Sequence, residues 1–423
     1  MAAPIVRARL LNSGGVGGFQ GNILSGRGPV RSVSTQAAPA TQTQRDRPES
    51  DADTSKKQQL PAPFRTLISD PVKHTREHIG KFYQVPKSVQ AGLFNVYQLN
   101  KKARQFQKLA GEFSMMVRAP FLEARDYLRD YDYSQPALRI MLYGRLGTGK
   151  SYTMAHILHY AYLNDFLIIA KPWLPEWTRR PKEVQVNETN PLLMDSPLDA
   201  AVWLQHFRLL NADILSRLDL KTTKDWNWSD KEVTTKGESL ENIVGHGVKR
   251  VKHACLCVDA LLQEIKSYTD SGKLKTLVAI DGVNNLFEIS YLKRPNRSFI
   301  PVDDFSLLRA FKQVLRNDWK NAAIVVTVDE NALSLKHRGL ELEKVPSFMP
   351  QYLLGKEGFE FFEPFIPIRT ENYNAVEMES VLDYYAAVHF IQHPKAKTPS
   401  GREEFKFLSG YNPRELMKLS QWI

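Results

Sequence analysis

Cysteine is almost missing from this chain, with two residues in 423. Two thiols cannot staple a small extracellular scaffold, which argues against a disulfide-built secreted fold. Long apolar runs are missing too. The longest, such as residues 166–170, have the length of a buried strand. They fall far short of the roughly 20 residues that cross a bilayer, so no membrane insertion is expected. Acid is missing from the first 45 residues, which carry Arg7, Arg9, Arg27, Arg31 and Arg45. Neither glycine nor proline is in excess, and tandem repeats are not apparent. With 43% hydrophobic and 24% charged residues, the composition excludes collagenous, mucin-like or wholly disordered chains.

What is present is unevenly placed. The formal net charge is +11, and all of the excess lies in the first 110 residues. Residues 1–45 contribute +5, residues 46–60 contribute −1 and residues 61–110 contribute +7, so the remainder is neutral. An arginine- and serine-bearing start without acid, lacking a secretory apolar block, predicts a mitochondrial presequence over residues 1–35. A Gln-, Thr-, Ser- and Pro-rich stretch predicts a disordered linker over 36–60. Residues 61–125 form a basic arm in which cations alternate with Phe64, Phe82, Tyr83, Phe94, Tyr97 and Phe106. Cations neutralise phosphates and aromatics can stack on unpaired bases. Lys73, Arg76, Lys81, Lys101, Lys102 and Arg104 are therefore candidate RNA contacts. The alternative is a solvated basic surface whose aromatics anchor it to the main domain.

The sharpest motif is Gly144-Arg145-Leu146-Gly147-Thr148-Gly149-Lys150-Ser151, which satisfies G-x-x-x-x-G-K-[ST] at every fixed position. A strand-length apolar run precedes it and a helical apolar period follows it, beginning at Ser151 and Tyr152. A helix N-terminus offers unsatisfied N–H groups and a favourable dipole to phosphate. Lys150 would reach the β/γ-phosphates, and Ser151 would offer its hydroxyl to Mg2+. A magnesium acid is required at a strand end, and the run 276–281 supplies Asp281. Gly282, Asn284 and Asn285 stand where many related NTPases carry a water-activating acid. An amide orients water but does not take its proton, which predicts nucleotide binding with slow or absent turnover. Glu288 remains as a possible base.

Further strands are expected at 166–170, 322–328 and, at a sheet edge because of its proline, 365–369. Helices are expected at 198–218, 240–266, 303–317 and 375–389. The alternation predicts an α/β fold: a P-loop NTPase three-layer domain with a mainly parallel sheet over 126–370, and a small helical region over 371–423. The loop and Asp281 should meet at the C-terminal ends of adjacent strands. Thr327 could act as a γ-phosphate sensor or be an ordinary β-branched strand residue. Arg414, at the start of a final helix capped by Asn412, could be a sensor arginine or a surface one. Cys255 and Cys257 read as core thiols, and His156 and His159 as packing residues. Trp226 and Trp228, in a polar insertion, hint at an exposed partner surface.

Several stretches together resemble the mitochondrial ribosomal family of death-associated protein 3. They are the 144–151 loop, residues 277–284, Asn317-Asp318-Trp319, Leu354-Gly355-Lys356-Glu357-Gly358-Phe359 and Pro364-Phe365-Ile366-Pro367. The resemblance covers about residues 60–423. It implies a component of the small subunit of the mitochondrial ribosome in the matrix, in the subunit head near the large subunit. It implies contacts with ribosomal RNA and neighbouring ribosomal proteins, bound GTP or GDP with Mg2+, and a pro-apoptotic role. Gly144, Gly149, Lys150 and Ser151 match the family's phosphate loop, and Asp281 its magnesium acid. No N-K-x-D guanine motif is evident, so ATP stays open. The rival functions are a regulatory P-loop switch NTPase in apoptosis signalling and a free mitochondrial enzyme coupling hydrolysis to work.

Overall fold

The computed structural model describes residues 62–294, 296–333 and 347–421. The expected presequence and linker lie outside the described residues. Five strands form one parallel sheet: β1 (Leu138–Tyr143), β2 (Phe166–Lys171), β3 (Lys275–Ile280), β4 (Ala322–Thr327) and β5 (Ile366–Arg369). Their order is β5-β1-β4-β3-β2. Side chains alternate across the sheet. Ile140, Leu142, Leu277, Ala279, Ala323 and Val325 enter one core. Met141, Val278, Ile280, Ile324 and Val326 enter the other. A sheet buried on both faces needs strands without polar alternation, and the sequence has that pattern.

Eleven of the helices matter here: α1 (Lys101–Ala110), α2 (Ala119–Asp130), α3 (Lys150–Leu163), α4 (Pro197–Leu210), α5 (Leu240–Lys249), α6 (Ala254–Asp270), α7 (Ser306–Val314), α8 (Pro350–Phe362), α9 (Ala375–Ala387), α10 (Pro399–Ser409) and α11 (Pro413–Ser420). α2 and α3 cover one face of the sheet, and α4 to α8 the other, giving three layers. Arg139 is the one charged residue inside β1. Its guanidinium donates to the carbonyls of Leu315, Phe361 and Phe362, at the ends of α7 and α8. A cation there meets the negative ends of two helix dipoles.

Three expectations need correction. First, β4 lies between the loop strand β1 and the Asp281 strand β3, so those two are not adjacent. All six residues of β4 are buried, which suits a central strand. Second, two long helices are broken. The 198–218 helix ends at Asn211, whose side-chain amide donates to Ile168 O (2.9 Å) and accepts from Ile168 N (2.7 Å). This caps a peptide of the edge strand β2. The 240–266 helix turns back at Arg250. Gly247 lets α5 lie tightly on its neighbours, because a Cβ there would sit 2.4 Å from Leu204 and 2.8 Å from Cys257. Third, Trp228 is buried and not exposed. It lies in a hairpin of strands Trp226–Ser229 and Glu232–Thr234, and its indole donates to Thr234 Oγ1 at 2.9 Å.

The remaining side readings agree with packing. Cys255 and Cys257 are buried in α6, and burial pushes both thiols up to about 12. His156 and His159 are buried in α3, where His156 stacks on Phe121 and His159 bonds the Tyr83 hydroxyl at 3.0 Å. In the basic arm, Phe82, Tyr83, Phe94, Tyr97 and Phe106 are all buried. Phe82 stacks on Tyr384 with centroids 4.1 Å apart, and Phe106 packs with Tyr385 and Phe390. The arm's aromatics thus anchor it, Phe82 and Phe106 joining the core of the C-terminal helices. Lys73, Arg76, Lys101, Lys102 and Arg104 face solvent, and Lys81 is half-buried.

Candidate nucleotide site

The glycine loop leaves the C-terminal end of β1 and enters α3 at Lys150. Gly144 has φ +147°, and a Cβ on it would lie 2.2 Å from Thr370 O. Gly147 has φ +88°, and a Cβ there would lie 2.5 Å from Arg414 Cβ. Only glycine satisfies both the left-handed backbone and this close approach.

Lys150 is buried beneath the loop. Its ammonium donates to Gly144 O (2.8 Å) and Arg145 O (3.1 Å) and pairs with Asp329 Oδ2 at 3.1 Å. The Ser151 hydroxyl donates to Asp281 Oδ2 at 2.5 Å. Thr327 donates to Asp281 Oδ1 and accepts from Gly282 N at 2.9 Å. Thr327 therefore holds the acid in place whatever else it does. Asp281 is buried, and burial pushes its carboxyl up to about 6, against the donors Ser151 and Thr327. Asp329 adds to this rise and Lys150 opposes it. A carboxylate beside a hydroxyl is a pair of hard oxygen donors, a set that could hold Mg2+.

The loop is clamped from the other side by Arg118, which precedes α2. Its guanidinium donates to Thr148 O at 2.7 Å and forms a two-pronged pair with Glu377 of α9 at 3.0 and 3.1 Å. The start of α11 closes the loop further. Asn412 Nδ2 donates to Leu146 O (3.0 Å) and Arg414 N to Gly147 O (3.2 Å). Arg414's side chain is exposed beside Gly147. Tyr152 is half-buried and packs against the core that α2 joins. Next to the loop opens a cleft of about 350 Å³ lined by Arg145, Thr148, Phe348, Arg369, Asn372 and Tyr373, among others. The Arg145 and Arg369 guanidinium groups both lie over the Phe348 ring, at 5.9 and 5.5 Å.

The positions after Asp281 are fully occupied by structural bonds. Asn284 donates to Asp329 O (3.1 Å) and accepts from Asp329 N (3.0 Å). Asn285 donates to Ala332 O at 2.9 Å and accepts from the Thr178 hydroxyl. Both amides are buried and staple the segment after β4 to the segment after β3. Glu288 lies just past the short 3-10 helix Val283–Phe287. An Asn284→Asp variant should lose the donor to Asp329 O and set a carboxylate against that carbonyl. We expect a loss of about 1–3 kcal/mol in urea unfolding, with no gain in nucleotide turnover.

Thus Gly144 to Ser151, Asp281, Thr327 and Arg414 converge on one place, although they are scattered in sequence. Asp329 and Arg118 escaped the sequence reading. Asp329 carried the signal that picked out Asp281, an acid just beyond a buried run. Arg118 carried none, since its role depends on where α9 lies.

Residues 115–419 match the family described as mitochondrial ribosomal death-associated protein 3. The small ribosomal subunit protein mS29 of Mus musculus is 36% identical over 355 residues, covering 84% of this chain and 88% of that protein. Its Bos taurus counterpart is 35% identical over 359 residues, covering 85% and 88%. That of Neurospora crassa is 21% identical over 257 residues, covering 60% and 53%. The chain belongs to the mitochondrial ribosomal death-associated protein 3 family.

Proposed function

We propose that this chain is a structural component of the small subunit of the mitochondrial ribosome that keeps a purine nucleotide with Mg2+ as a stabilising ligand. The matrix is its compartment, and no helix among the described residues is long and apolar enough to cross a membrane. The observation that carries the ligand reading is the convergence of Lys150, Ser151 and Asp281 on a glycine loop at a helix N-terminus. Loop N–H groups would bind the β-phosphate, and Lys150 would turn from its two carbonyls to the phosphate oxygens. Ser151 and Asp281 would hold Mg2+, which supplies charge neutralisation between phosphates. The cleft beside Arg145 and Phe348 has room for the base and offers it a ring and two guanidinium planes. GTP or GDP is the family's ligand, and ATP fits the same chemistry. Both amides after Asp281 are tied into the backbone, so the ligand persists instead of turning over. A ligand that binds only the folded state stabilises it without hydrolysis.

The exposed cations of the arm, with Lys101, Lys102 and Arg104 on one helix, are the proposed contact to ribosomal RNA. Neighbouring ribosomal proteins and the large subunit across the interface are the other proposed partners. One gradient experiment tests the reading. Tagged wild type should sediment with the small subunit. Charge reversal at Lys101, Lys102 and Arg104 should weaken that association at low salt and reduce its salt sensitivity. Wild type absent from small-subunit fractions would overturn the ribosomal role. Turnover by the purified chain near ~1 s⁻¹, within the ordinary enzyme range, would overturn the static ligand.

A further inference from the structure

The Trp226–Thr234 hairpin meets the corner between α5 and α6. Three side chains converge there. His246 Nε2 lies 2.9 Å from His253 Nδ1, and Glu232 Oε2 lies 3.7 Å from that same nitrogen. The three ligand atoms are all within 4.8 Å of one another. Tetrahedral ligands on zinc, at about 2.0–2.1 Å from the metal, stand about 3.3 Å apart. The two observed separations bracket that spacing.

The groups are also held in orientation. Arg250 Nε donates to Glu232 Oε1 at 2.9 Å, which leaves Oε2 facing the histidines. The Trp228 ring lies nearly parallel to the His246 ring with centroids 5.2 Å apart, and His253 meets His246 edge to edge through their 2.9 Å hydrogen bond. Trp228 is in turn fixed by its bond to Thr234. Outer groups of this kind set the direction of a ligand's lone pair.

We propose that Glu232, His246 and His253 form a binding site for a first-row divalent transition metal ion of the zinc type, with a fourth position left to water. Two imidazole nitrogens and one carboxylate oxygen are a borderline donor set. Mg2+ and Ca2+ demand oxygen alone, so this site discriminates against the ion expected at the glycine loop. The bound ion cross-links the hairpin to the point where the chain doubles back between two helices.

The test uses the full-length chain, stripped with a chelator and kept in excess Mg2+ to fill oxygen sites. Co2+ is titrated as the probe and then displaced with Zn2+. We expect one equivalent of Co2+ to bind, with visible d–d absorption and partial quenching of tryptophan fluorescence through Trp228. Zn2+ should erase the absorption and raise the melting temperature. Glu232→Gln should weaken binding at least 10-fold, and His246→Asn should remove it. Glu232 sits at the surface end of the hairpin, so its variant decides the matter if the histidine variant does not fold. No saturable binding by wild type, or an unchanged affinity and spectrum in Glu232→Gln, would overturn the proposal.

Discussion

Lys150→Ala is expected to abolish nucleotide binding and to destabilise the ligand-free chain as well. The two effects have separate causes. In the ligand-free site the ammonium satisfies two loop carbonyls and neutralises Asp329. Removing it leaves two acids, Asp281 and Asp329, facing a loop with no cation beneath. Breaking a buried pair by deleting one partner costs about 3 kcal/mol or more. With nucleotide at 100-fold over its dissociation constant, wild type gains about 2.7 kcal/mol, and the variant gains none. Melting curves with and without Mg2+-GTP, Mg2+-GDP and Mg2+-ATP measure both. An unchanged ligand-induced shift in the variant would contradict the loop's assignment. The spread of shifts among the three nucleotides for wild type reports base preference.

Arg118→Met carries the second large effect. Arg118 bonds Glu377, the Thr148 carbonyl and the carbonyls of Glu371 and Asn372, and its guanidinium lies 5.0 Å over Tyr373. The Arg118 and Glu377 side chains are 11% and 4% exposed, so solvent cannot replace what is lost. We expect about 3–5 kcal/mol of destabilisation, with weakened nucleotide binding because Thr148 loses its clamp. The Arg118→Met, Glu377→Met double variant should be less destabilised than the sum of the singles, since it leaves no orphan charge. Additive losses would mean the pair is not coupled.

These two residues show how far the sequence could be read. Lys150 was legible because its role is local: a strand, a turn and a helix in that order fix the loop's shape. The strands were legible for the same reason, since burial on both faces forces uninterrupted apolar runs. Strand order was not legible. Nothing near Asp281 or Gly144 encodes that β4 passes between them, because order is settled by how helices pack over both faces. Arg118 was invisible because its partners are 30 and 259 residues away in sequence. The arm's aromatics misled in a different way: composition supports base stacking and anchoring equally, and only the position of the C-terminal helices chooses anchoring. Trp228 likewise reads as loop-exposed until the hairpin folds it over His246. The absence of an acid at Asn284 and Asn285 is legible, but their bonding partners Asp329, Ala332 and Thr178 are distant in sequence and are not.

The closure of the glycine loop by Asn412 and Arg414 has a consequence for biogenesis. Synthesis delivers the N-terminus first, and Asn412, which bonds Leu146, lies 266 residues after it. The loop can form as soon as β1 and α3 exist, yet it keeps an open side until residues 412–414 have been made. A product cut short before residue 412 would present the phosphate motif without its lid. On the proposed nucleotide reading, such a fragment should hold its ligand more weakly than a chain that includes residues 412–414, and melting with and without nucleotide would show the difference.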